Sequence, residues 1–207
     1  AQAFRLGAAD DPQDLARALD RIERSAERMG VLVDDLLLLA RLDAVRQVTG
    51  VPVDLGAIVD DACGDIRITA PERVITFRGP ADGTVTVMAD ADQVYQIVDN
   101  LLRNALVHTP AQAAIDVAVH RGEGVGVLTV RDHGPGIPPE ARQRLFEPFY
   151  TTKTVGKGTG LGLYVSYGTI RDLGGTLEIA SEPGRGTTAT ICLPVNHEFN
   201  HGNDFAG

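Results

Sequence analysis

Residues 156–163 read Gly156-Lys157-Gly158-Thr159-Gly160-Leu161-Gly162-Leu163. Alternate glycines run straight into an apolar pattern that continues to Leu173 and stops at Gly174-Gly175. That is a glycine-rich loop opening a helix. Such a loop presents free backbone N–H groups, which with the positive end of the helix dipole favour phosphate. It is not a Walker A loop, because no Gly-Lys-Ser/Thr ends it, and no Gly-x-Gly-x-x-Gly dinucleotide spacing fits it. Lys153 and Lys157 are the only lysines in the chain and both flank this loop, where a compact charge on a flexible stem can meet phosphate oxygens. A flexible surface loop is the bland alternative; four alternate glycines before a helix make phosphate the better reading.

Three further clusters stand upstream and downstream of it. Asn100 and Asn104 lie four apart on a helix that Asp90 caps, with Gln93 three residues on and Pro110 as its stop. Alone, the pair reads as a solvated helix face, and in company as neutral oxygens for a hydrated Mg²⁺, which needs few protein ligands. Asp132-His133-Gly134-Pro135-Gly136-Ile137 follows a strand. Alone it is as well read as a Gly-Pro turn. In company, glycines let backbone approach a flat ligand while the carboxylate accepts from an amino group such as adenine's. Gly184-Arg185-Gly186-Thr187-Thr188 is by itself a hairpin turn. Phe146-Glu147-Pro148-Phe149-Tyr150 either anchors one end of the glycine-rich loop or packs in the core, with equal weight.

The rest of the chain supplies the frame. Of 207 residues, 43% are hydrophobic and 23% charged, which suits a folded globular chain and not a disordered one. The net charge of −9 argues against nucleic-acid binding by bulk electrostatics. Cys63 and Cys192 are the only cysteines, so neither a disulfide scaffold nor a zinc site is expected, and a cytoplasmic, reducing setting is. No apolar run reaches membrane-spanning length. The chain opens on Ala1 rather than Met, which reads as part of something longer.

From the Asp11-Pro12 start, apolar residues fall at Leu15, Leu19, Ile22, Ala26, Met29, Val33, Leu36 and Ala40. Steps of four and three make the seam of a helical bundle. A rod of about thirty residues, roughly 45 Å long, needs a partner to cover its apolar face. Gly50 and Pro52 close this segment. Beyond it, strands are expected at 53–55, 74–77, 84–88, 114–120, 125–131, 176–181 and 187–193, with helices at 56–68, 90–108, 139–146 and 161–173. Residues 1–46 thus form a helical unit, 51–195 a mixed α and β domain, and 196–207 a polar tail.

In this order and spacing the clusters resemble the N, G1, F, G2 and G3 boxes of the sensor histidine kinase ATP-binding domain, in the superfamily shared with DNA gyrase B, Hsp90 and MutL. The stretch from Glu23 to Ala44 resembles the second helix of the dimerisation and histidine-phosphotransfer domain. The resemblance implies an α+β fold: a two-layer sandwich, its mixed sheet covered by helices on one face (the Bergerat-type ATP-binding fold), preceded by a long bundle-forming helix. It implies ATP and Mg²⁺ as cofactors, with Asn104 as the metal ligand and Asp132 on the adenine amino group. Gly134 and Gly136 would shape the pocket, and Gly158, Thr159, Gly160, Leu161 and Gly162 would line the phosphates. Thr188 would support the adenine pocket. Asn100 occupies the position where hydrolytic relatives carry a water-activating Glu, and a carboxamide cannot act as a base. The family often has a basic residue, then Tyr or His, just after the second Asn of the N box; this chain has Val107 and His108. Phosphate contacts then fall to His108, Lys153 and Lys157.

The implied activity is that of an ATP-dependent protein-histidine kinase, a homodimer through residues 12–44 that serves a response regulator. The family's acceptor His precedes an acidic residue on the first helix. None of His108, His120, His133, His197 and His201 has that context, so the chain alone is expected not to autophosphorylate. The alternatives are an ATP-binding or dimerising module without transfer, and another ATPase of the superfamily.

Overall fold

The computed structural model describes Leu19 and residues 50–81, 83–151 and 159–195. The bundle-forming helix, Lys153, Lys157, Gly158 and the tail lie outside the described residues. The order is β1 (Val51–Asp54), α1 (Leu55–Thr69), β2 (Ile75–Arg78), β3 (Thr86–Ala89), α2 (Ala91–His108), β4 (Ile115–Arg121), β5 (Val125–Asp132), α3 (Pro139–Arg142), α4 (Gly162–Asp172), β6 (Thr176–Glu182) and β7 (Gly186–Pro194).

Five strands form one mixed sheet in the order β2-β4-β5-β7-β6, and β1 and β3 pair separately. The β2–β4 pair is parallel and the other pairs in the large sheet are antiparallel. Alternation sets the buried face: Ile115, Val117 and Val119 of β4, Leu128 and Val130 of β5, and Ala189, Ile191 and Leu193 of β7 are buried. They share a core with Val59 and Ile66 of α1, Val98 and Leu102 of α2, and Ile170 of α4. α2 packs against both α1 and α4, so one helix layer covers one sheet face.

Local chemistry fixes the element ends. The Asp90 carboxylate accepts from the N–H groups of Asp92 (2.9 Å) and Gln93 (3.4 Å) and starts α2. Thr109, ahead of Pro110, is extended (φ −126°, ψ 150°) and ends it. Asp54 accepts from Gly56 N (2.9 Å), so Leu55 begins α1 instead of ending a strand.

The strands on either side of residues 79–83 do not pair with each other: β3 joins β1, while β2 crosses over and lies parallel to β4. Ile75 and Phe77 gain burial in the large sheet that a local hairpin would not supply. The helix expected over 139–146 stops at Arg142. Beyond it the backbone makes tighter three-residue bonds, Arg144 N to Ala141 O and Glu147 N to Arg144 O, ahead of Pro148.

No helix among the described residues is long and apolar enough to cross a membrane.

Candidate nucleotide site

The site is built along one face of α2. A Cβ at Gly162 would sit 3.3 Å from Asn100 Oδ1, so the start of α4 lies against Asn100. Asn100 Nδ2 donates to Ser166 Oγ (3.2 Å), a turn further along α4. One turn along α2 stands Asn104, half-buried, its carboxamide without a hydrogen bond to any described residue. At the C-terminal end of the same helix, the Thr109 methyl fills the space beside Gly134: a Cβ there would be 2.3 Å from Thr109 Cγ2. The two asparagines therefore lie between the glycines of the 160–162 segment and those of the 132–136 turn.

That turn is tightly specified. Gly134 N donates to Asp132 Oδ1 (2.8 Å), an Asx-type turn that fixes one carboxylate oxygen and leaves the other. Gly136 has φ +73°, and a Cβ there would reach 2.2 Å from Glu182 O. From the other hairpin, Gly186 has φ +88° and lies against Asp132 O, where a Cβ would come to 2.0 Å. Gly184 N donates to Pro135 O (2.7 Å), and Ile137 N donates to Ser181 Oγ (2.8 Å). The two turns interlock through close backbone approach and through the Ser181 hydroxyl, and at Gly136 and Gly186 only glycine allows that approach.

The glycine-rich segment is buttressed by the aromatic run. Gly160 has φ +71° and lies against the backbone of Phe149 and Tyr150. Phe146 packs on Tyr167 of α4 with ring centroids 4.6 Å apart, and Arg144 lies 4.4 Å over the Tyr150 ring. Anchoring the loop and packing the core are thus both done by this run.

Of the residues named from the sequence, Asn100 meets Gly162 and the Thr109 end of α2 meets Gly134, the neighbour of Asp132 and Gly136 in its turn; Gly160 precedes buried Leu161 at the start of α4. Thr159 is half-buried and its Oγ1 accepts from Leu161 N (3.4 Å). His108 is exposed at the end of α2. β7 pairs Thr187 with Asp132 and Thr188, the residue named from the sequence, with Arg131. Successive side chains alternate faces, so Thr187 shares the face of Asp132 and of buried Ala189, and Thr188 takes the other. Thr187 Oγ1 also lies 3.1 Å from Ser181 Oγ. Thr187, Ser181 and Ser166 escaped the sequence reading. A serine inside the apolar run of α4 was the available signal for Ser166; the choice between two adjacent threonines needed the strand register.

The donor chemistry suits Mg²⁺: the half-buried Asn104 carboxamide, without a hydrogen-bond partner among the described residues, offers an oxygen to a cation that keeps most of its waters. No group of three or more His, Cys, Asp or Glu able to hold a metal occurs among the described residues.

Two family models match segments of this chain. Residues 89–197 match the family described as Histidine kinase-, DNA gyrase B-, and HSP90-like ATPase. Residues 1–45 match the His Kinase A (phospho-acceptor) domain. The chain is 36% identical over 196 residues to the probable sensor histidine kinase TcrY of Mycobacterium tuberculosis, covering 93% of this chain and 40% of that protein. It is 33% identical over 196 residues to the sensor histidine kinase ZraS of Escherichia coli, covering 94% and 40%. Among solved structures, a mycobacterial sensor histidine kinase, MprB, superposes with a TM-score of 0.62 at 27% identity, covering 71% of this chain and 98% of that one. Full-length ShkA, in complex with AMPPNP, superposes with a TM-score of 0.74 at 27% identity, covering 86% and 38%. The chain spans 40% of the length of TcrY and of ZraS. A site strung along an Asn-bearing helix between two glycine turns, and matches over both segments of the chain, lead to one conclusion: the chain belongs to the histidine kinase-, DNA gyrase B- and HSP90-like ATPase family, on its sensor histidine kinase branch.

Proposed function

We propose that this chain is the catalytic portion of a two-component sensor histidine kinase. It binds Mg-ATP along α2 and passes the γ-phosphoryl to a His on an acceptor helix. The observation that carries this is the α2 face, whose two carboxamides lie between the phosphate-type glycines and the Asp132 turn. The AMPPNP complex of ShkA, a structural relative, is consistent with ATP as the ligand.

The free Asp132 oxygen accepts from the adenine amino group, and Gly134 and Gly136 leave room for the ring. The glycine-rich segment takes the phosphates at the start of α4, with Gly158, Thr159, Gly160, Leu161 and Gly162 in that segment and His108, Lys153 and Lys157 as the side-chain contacts. Asn104 holds the metal; Mg²⁺, when bound, neutralises phosphate charge. The acceptor imidazole nitrogen attacks the γ-phosphorus in line, the bond to the β–γ bridging oxygen breaks, and ADP leaves. Asn100 has no proton-accepting nitrogen or carboxylate for water, so the bound nucleotide waits for the His.

Residues 1–45 contain no histidine, so the isolated chain does not phosphorylate itself by the family route. Its partners are a second copy through residues 12–44, a His-bearing helix and a response regulator. It works on the cytoplasmic side, where ATP is.

The test is transfer of label from γ-labelled ATP to an added His-bearing dimerisation domain. Label on that domain, lost with Asn104→Ala in a variant that melts normally, is the expected result. Absence of ATP binding at millimolar nucleotide with Mg²⁺ refutes the proposal.

A further inference from the structure

Arg73, just ahead of β2, is 6% exposed, and no carboxylate pairs with it among the described residues. Its Nη1 donates to Pro110 O, and its Nη2 donates to Ala105 O (3.3 Å) and to Thr109 Oγ1. Its Nε is buried without a partner. An ion held in the interior without a counter-ion is a costly arrangement. Here the compensating oxygens lie at and just beyond the C-terminal end of α2, which carries the negative end of the helix dipole.

The consequence falls on Thr109. A guanidinium only donates, so Thr109 Oγ1 accepts from Arg73 and gives its own proton to Ala105 O (2.6 Å). With the hydroxyl held from both sides, a β-branched side chain has one place left for its methyl. That place is against Gly134, at the 2.3 Å separation that excludes any Cβ there. Gly134 N in turn holds Asp132 Oδ1 (2.8 Å).

We propose that Arg73 and Thr109 are positioning residues for the base end of the nucleotide site. They seat the Gly134 turn so that the Asp132 carboxylate is aimed at an amino-bearing purine edge. This rests on the ATP-site assignment above and adds to it what sets base selectivity. Neither residue touches nucleotide; both act through Gly134.

A merely structural clamp would change the melting temperature and the folded fraction and leave base preference alone. The experiment is therefore calorimetric titration of ATP and GTP, with Mg²⁺, into the full chain. The chains compared are wild type, Thr109→Val, Arg73→Met and Arg73→Lys, with the folded fraction taken from the stoichiometry. Thr109→Val keeps the shape and removes the hydroxyl, and Arg73→Met removes the charge at similar length. Each is expected to weaken ATP about fivefold, the worth of one ordinary hydrogen bond, with GTP little changed, so that the ATP:GTP preference falls. Gly134→Ala is expected to abolish ATP binding, and adding Thr109→Ser, which removes the obstructing methyl, to restore part of it. Variants that melt earlier yet keep the wild-type ATP:GTP ratio overturn the proposal. If Arg73→Met does not fold, Arg73→Lys and Thr109→Val decide it on the same ratio. A wild-type chain that binds neither nucleotide refutes the site assignment itself, a separable result.

Discussion

Asn100 has the same side-chain chemistry as Asn104 but a different task, and only its neighbours distinguish the two. Its Nδ2 is committed to buried Ser166 and its oxygen lies beside Gly162, whereas the Asn104 carboxamide has no partner among the described residues. A carboxylate at position 100 would put a proton acceptor at the floor of the proposed phosphate site. Asn100→Glu is therefore expected to raise steady-state phosphate release from ATP above the wild-type rate, in the absence of any acceptor. A phosphate assay reads this directly. A wild-type chain that already hydrolyses ATP briskly would show that position 100 is not what restrains the reaction.

Helices α1 and α2 are joined by a tie whose strength depends on pH. Tyr95 of α2 donates to Asp65 of α1 (2.6 Å), and that hydrogen bond, ahead of burial, pushes its phenol up to about 12. Burial pushes the Cys63 thiol of α1 from 9.0 up to about 11. Below pH 9 both folded and unfolded chains keep these protons. Between about 9 and about 11 the unfolded chain loses the Cys63 proton while the folded chain holds it, so stability falls as pH rises. Tyr95 extends the same trend toward pH 12. The urea midpoint should therefore be flat up to pH 9 and drop by pH 10.5. Cys63→Ala should flatten the first part of the fall and Tyr95→Phe the later part. An unchanged midpoint at pH 10.5 would contradict this.

The large sheet places the Asp132 turn at the end of β5 and Gly186 at the start of β7, while α2 meets the start of α4 through Asn100 and the Asp132 turn through Thr109 at its end. No element carries the site alone, so loss of the α2 packing core should remove nucleotide binding together with the fold. The match of residues 1–45 to the phospho-acceptor domain and the apolar steps from Leu15 to Ala40 call for a second copy to cover that seam. Light scattering of the full chain should return twice the monomer mass, and a mass of one chain would remove the proposed homodimer.

The order of the motifs, the caps and the stops were written in the chain. Asp90, Pro110, Gly174-Gly175 and the alternation of Ile115, Val117 and Val119 act within a few residues of themselves, so local sequence was enough to place α2, α4 and β4. The glycines at 134, 136 and 160 were likewise legible, because only glycine meets the demands of so close an approach or a positive φ. Tertiary structure decided what depends on distant partners. Whether β2 pairs with β3 or crosses over to β4, whether Thr187 or Thr188 faces Asp132, and why Arg73 is buried are settled by register and packing between segments far apart in the chain. A one-residue shift there reverses every side chain, and no local pattern encodes it.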